Sequence, residues 1–71
     1  MSQSQKVLRH MQERGSITAR DAYECYGIMR LGARIYDLKK EGYAIQTSKE
    51  TARNKYGDPV HYARYAMIQQ Q

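Results

Sequence analysis

The chain has 71 residues, with 12 Lys and Arg against 7 Asp and Glu and a net charge of +5. That length suits one small domain near the lower limit for unaided folding and leaves little frame for the dry, multi-residue pocket of an enzyme. No uncharged run is long enough to span a bilayer, and the single cysteine, Cys25, excludes an internal disulfide and a multi-cysteine metal site.

The opening residues Met1-Ser2-Gln3-Ser4-Gln5 lack the apolar core of a signal peptide, which predicts an uncleaved cytoplasmic protein. A first helix is predicted from Ser4 to Arg14, capped by Ser2 or Ser4. Ser4, Val7, Leu8 and Met11 form its inner face. Ser16-Ile17-Thr18 is short and β-branched and reads as a brief strand with Ile17 inward. Thr18 then caps a second helix over Ala19–Tyr26, with Asp21 completing an acidic capping box and Ala22, Cys25 and Tyr26 on its buried side. Cys25 is expected to be a small core filler. Gly27-Ile28 turns the chain into a third helix, Met29–Glu41, whose core stripe is Ile28, Leu31, Ile35 and Leu38. Two helices joined by a short glycine-containing turn form the pattern of a helix-turn-helix.

After Gly42 the apolar period changes from that of a helix to that of a strand. Tyr43, Ile45 and Thr47 alternate with Ala44, Gln46 and Ser48. A polar connection follows, Lys49 to Pro59, which is long for a hairpin loop. A returning strand then covers Val60 to Ile68, with His61, Ala63, Tyr65 and Met67 facing the helices. His61 is expected to be half-buried, and neither it nor His10 has company enough for a metal site. The predicted fold is α+β: a three-helix helix-turn-helix core followed by a C-terminal β-hairpin wing. It is one domain over residues 1–71, frayed at 1–3 and 69–71.

Charge points to the binding surface. Residues 1–29 carry a net +1 and residues 30–71 a net +4, so a polyanion is drawn to the second half. On a helical wheel, Met29, Ala33, Tyr36 and Lys40 lie opposite the core stripe of the third helix, with Arg30 and Asp37 on one shoulder and Arg34 nearer the core edge. A recognition helix reads base edges with its N-terminal residues, so Arg30 is the candidate for guanine and Tyr36 for a sugar, phosphate or thymine methyl. Arg34, within reach of Asp37, is assigned to backbone positioning. Gly32 weakens the helix, either to admit DNA closely or to relieve crowding against the second helix. Lys49, Arg53, Asn54, Lys55 and Tyr56 form the wing surface, for backbone or minor groove. Thr18 and Arg20, at the start of the second helix, are candidates for phosphate.

The runs Gly15-Ser16-Ile17-Thr18, Asp21-Ala22, Tyr26-Gly27-Ile28, Arg30-Leu31-Gly32-Ala33-Arg34-Ile35-Tyr36-Asp37-Leu38-Lys39-Lys40 and Gly42-Tyr43, with Ala63-Arg64-Tyr65 near the end, resemble a family of small phage and prophage helix-turn-helix proteins. The resemblance covers about residues 4–68. It implies a winged-helix DNA-binding role in phage gene regulation or a related phage DNA process such as excision, in the bacterial cytoplasm and nucleoid. The expected partner is double-stranded DNA, bound by a homodimer or by cooperative copies on adjacent sites, with no cofactor and no enzymatic activity. The alternative is an interaction module that holds a host protein, such as a polymerase or nuclease, through the same basic face.

Overall fold

Order begins with a capping box. The Ser2 hydroxyl accepts the Gln5 amide at 3.2 Å, and the Gln5 side chain accepts the Ser2 amide at 3.3 Å, which satisfies two donors that the first helical turn leaves unpaired. The computed structural model describes residues 2–68, and its first helix, α1, spans Gln3–Arg14. Ser2 is therefore the cap, and order starts earlier than expected; the fraying expected of Met1 and of residues 69–71 lies outside the described residues. Val7 and Met11 are buried, Leu8 packs against the core, and Arg9 pairs with Glu13 on the outer side. Gly15, at φ 92°, ends the helix with its amide on the Met11 carbonyl.

Strand β1, Ile17–Thr18, is two residues long, and its residues face Tyr65 and Arg64 across the ladder. Thr18 also caps helix α2, Ala19–Tyr26. Its hydroxyl accepts the Asp21 amide while the Asp21 carboxylate accepts the Thr18 amide, as the acidic box predicts. Gly27, left-handed at φ 70°, closes α2, and the Gly27 and Ile28 amides return to the Tyr23 and Ala22 carbonyls. Cys25 is exposed, not core. A helix of eight residues buries a narrow stripe, here Ala22 with Tyr26 beside it, and Cys25 falls outside it on a groove shared with His10 and Tyr26.

Helix α3 spans Leu31–Lys40. It starts two residues later than the periodicity predicts, because Arg30 leaves the helical region (φ −117°, ψ 66°) and serves as the N-cap, its carbonyl accepting the Ala33 and Arg34 amides. Met29 and Arg30 thus sit in the turn at the mouth of α3. Leu31, Ile35 and Leu38 form the buried stripe as expected. With Val7, Met11, Ile17, Ala22, Ile28 and Ile45 they make one contiguous core, flanked by Leu8, Tyr26, Tyr65 and Met67.

The hairpin is longer and its loop shorter than the sequence suggests. Strands β2, Ile45–Arg53, and β3, Pro59–Met67, pair antiparallel along their full length, and the sheet order is β1-β3-β2. Lys49 to Arg53 are strand rather than loop, so the connection is Asn54 to Asp58. Cross-strand partners carry the ladder through this polar stretch: Thr51 bonds His61 at 3.1 Å, and Arg64 donates to Glu50 at 2.9 Å. Residues paired across the ladder share a face. Ile45, Thr47, Lys49, Thr51 and Arg53 therefore lie on one face with Met67, Tyr65, Ala63 and His61. The inner part of this face meets the core through Ile45, Tyr65 and Met67. Farther out the hairpin runs past the helices, and His61 is exposed rather than half-buried. The hairpin draws the molecule out to 39 × 28 × 20 Å.

Candidate nucleic-acid interface

The mouth of α3 has the chemistry of an anion site. Its first turn carries no acidic residue and no side chain caps it, so the first amides face outward with the positive end of the helix dipole unneutralised. Met29 stands beside it at 79% exposure, and Arg30 is exposed with no ion pair among the described residues. Along the outer face, Ala33 is half-buried, Tyr36 is 62% exposed and Lys40 is exposed, with its ammonium 5.6 Å from the Tyr36 ring centre. A Cβ added at Gly32 would meet no atom within 4 Å, so the glycine does not relieve crowding against α2. Arg34 is half-buried. Its pair with Asp37 is long, at 3.5 Å, and its buried Nε has no partner among the described residues.

The hairpin tip is a stiff loop with a basic rim. The Asn54 amide donates to the Asp58 carbonyl at 3.0 Å, and the Asn54 side-chain oxygen accepts the Tyr56 and Asp58 amides at 2.9 and 3.0 Å. Arg53 donates to the Gly57 carbonyl at 2.7 Å, and Gly57 takes the positive φ of 84° that the turn requires. Lys49, Lys55 and Tyr56 are left facing solvent, while Arg53 and Asn54 also build the loop. Two residues not singled out from sequence share the face of Lys49: Thr51 and the exposed His61. Their register becomes readable only once the true length of the hairpin is known.

Thr18 and Arg20 lie elsewhere. They line a cleft of about 620 Å³ between the first turn of α2 and the hairpin, together with Arg53 and Asn54. Of its hairpin residues, Ala52, Val60, Tyr62 and Arg64 belong to the face opposite Lys49, while Arg53, at the end of β2, is in phase with Lys49. The Thr18 hydroxyl is occupied in the cap, and Arg20, its side chain 84% exposed though 3.0 Å from Glu24, projects a donor there. Arg64 anchors the cleft by donating to both Glu50 and Ser16. The Arg64 guanidinium holds the Glu50 carboxyl below the usual glutamate range, and Arg9 does the same to Glu13.

Ion pairing sharpens the charge asymmetry. Arg9, Arg20, Arg34 and Arg64 each hold an acid. Among the described residues, Lys6, Arg14, Arg30, Lys39, Lys40, Lys49, Arg53 and Lys55 hold none, and all but the first two come from α3, its mouth and the wing. No three His, Cys, Asp or Glu stand together as a metal site among the described residues, and His10 is instead 2.9 Å from the Tyr26 hydroxyl.

Residues 2–70 match the family model described as a winged helix-turn-helix domain. No curated protein and no solved structure matches the chain significantly. The match takes in all three helices and the whole hairpin, in the order that this architecture needs. The chain belongs to the winged helix-turn-helix domain family.

Proposed function

We propose that the protein binds double-stranded DNA, with α3 in the major groove and the wing on the backbone or in the minor groove, as a phage-type transcriptional regulator or an architectural factor of excision, working at the nucleoid in the cytoplasm. The observation that carries this reading is the gathering of six cations that hold no ion pair among the described residues, Arg30, Lys39, Lys40, Lys49, Arg53 and Lys55, on α3, its mouth and the wing. Arg30 is the base reader, Tyr36 and Lys40 contact the groove wall, and Arg34 turns from Asp37 to a phosphate. Lys49, Arg53, Asn54, Lys55 and Tyr56 form the wing contact, and Arg20 with the amides near Thr18 adds a phosphate contact. One such module buries on the order of 600–1,000 Å² on DNA, too little for tight binding alone, so a dimer or adjacent cooperative copies is expected.

Selection of bound sequences from a random duplex pool tests the reading. The expected outcome is an enriched motif repeated at about one helical turn. Recovery of an unenriched pool would remove sequence selectivity from the proposal. A second reading, a module that holds a host protein through the same face, draws on the 79% exposure of Met29, since methionine and tyrosine are enriched at protein interfaces. Host-protein capture that survives nuclease treatment, with no enriched duplex, would favour it.

A further inference from the structure

We propose that the wing tip is a wedge: Tyr56 enters the minor groove, parts a base step and bends the bound duplex, an inference that rests on the DNA-binding reading above. The tip fixes the backbone that carries this one exposed ring. Five hydrogen bonds tie the connection from Arg53 to Asp58: the two backbone bonds Asn54 to Asp58 and Gly57 to Asn54, the two amides on the Asn54 side chain, and the Arg53 guanidinium on the Gly57 carbonyl. Ordering a flexible loop on binding costs conformational entropy, and here that ordering is already done.

The ring so held is the only large apolar side chain of the loop. It is 77% exposed, and no core residue touches it. The Lys55 ammonium lies 5.1 Å from the ring centre, so the apolar group carries a cation with it. A lone exposed tyrosine is ordinary. A hydrogen-bonded mount, an accompanying cation and Arg53 at the base of the loop together are not, and they fit one ligand surface: apolar faces enclosed by phosphates. In a duplex those faces are the stacked bases. The minor groove, about 6 Å wide, admits a hairpin edge, and apolar wedges inserted there unstack a step and kink the duplex. The phenol hydroxyl reaches the acceptors on the groove floor, while Lys55 meets the phosphates beside the opened step. Pyrimidine–purine steps open at least cost, so the selected sites should carry one beneath the wing.

The test is made on a selected duplex carrying donor and acceptor dyes at its ends, with 2-aminopurine at the step beneath the wing. The native protein should shorten the end-to-end distance and brighten the 2-aminopurine. Tyr56→Ala should melt like the native protein, bind about tenfold more weakly and leave the duplex straight and the probe dark. Tyr56→Phe, which keeps the ring, should retain the bend. A native complex without a bend, or a bend unchanged by Tyr56→Ala, overturns the wedge while DNA binding stands. Absence of any complex at low salt overturns the wedge and the binding reading together.

Discussion

Glycine at position 32 costs α3 roughly 1 kcal/mol of helix propensity relative to alanine, and nothing inside the protein offsets this, since a Cβ there would meet no atom within 4 Å. On the DNA-binding reading proposed above, the backbone comes close to DNA at this point. Gly32→Ala is expected to stabilise the protein by about 0.5–1 kcal/mol in thermal or urea unfolding, while weakening its binding to a selected duplex. Tighter or unchanged binding would remove the close approach. Arg30 is the complementary case, an exposed N-cap whose side chain makes no bond among the described residues. Arg30→Ala should leave stability within about 0.5 kcal/mol and cost about 1–3 kcal/mol in DNA binding, most of it on one base pair of the site. An equal loss on every sequence would make Arg30 a phosphate contact instead.

At the scale of elements, the hairpin decides where the wing stands, and the bridge from Arg64 to Glu50 and Ser16 holds its base to β1. Because the Glu50 carboxyl titrates lower in the folded protein than in the open chain, the pair stabilises at neutral pH, and this is lost as pH falls through the acid range. Glu50→Gln should therefore unfold more easily at neutral pH and show a shallower loss of stability on acidification, with part of the slope kept by Glu13. Urea unfolding at a series of pH values checks this, and an unchanged acid slope would count against the bridge. The helices were legible in sequence because their evidence is local. Val7 and Met11, Leu31, Ile35 and Leu38, and the Thr18 box all lie within a few residues of their partners. The outer strands were not, because Lys49 to Arg53 have no apolar alternation and become strand only through their cross-strand partners, Pro59 to Ala63. Cys25 misled for a related reason: its polarity suits a core, but the wheel of so short a helix leaves it outside. The α3 start was hidden because Arg30 departs from helical backbone without any capping residue type to mark it.

Over the whole molecule, acids and cations are sorted. Four arginines hold acids, Arg34 of α3 among them, while the other cations of α3, its mouth and the wing hold none among the described residues, and that sorting is visible in sequence only as the +4 of residues 30–71. The candidate groups were legible as residues, but their distribution was not. Lys49 and Arg20 stand on opposite faces of the hairpin, a separation that only the register of β2 and β3 reveals. If the unpaired cations form one surface for the duplex backbone, binding must release counterions in proportion to the phosphates they cover. The most direct measurement is the affinity for a selected duplex as a function of salt. About 4–7 neutralised phosphates predict a log–log slope of roughly −4 to −6; a slope near zero, or no complex with any duplex at low salt, would contradict the account.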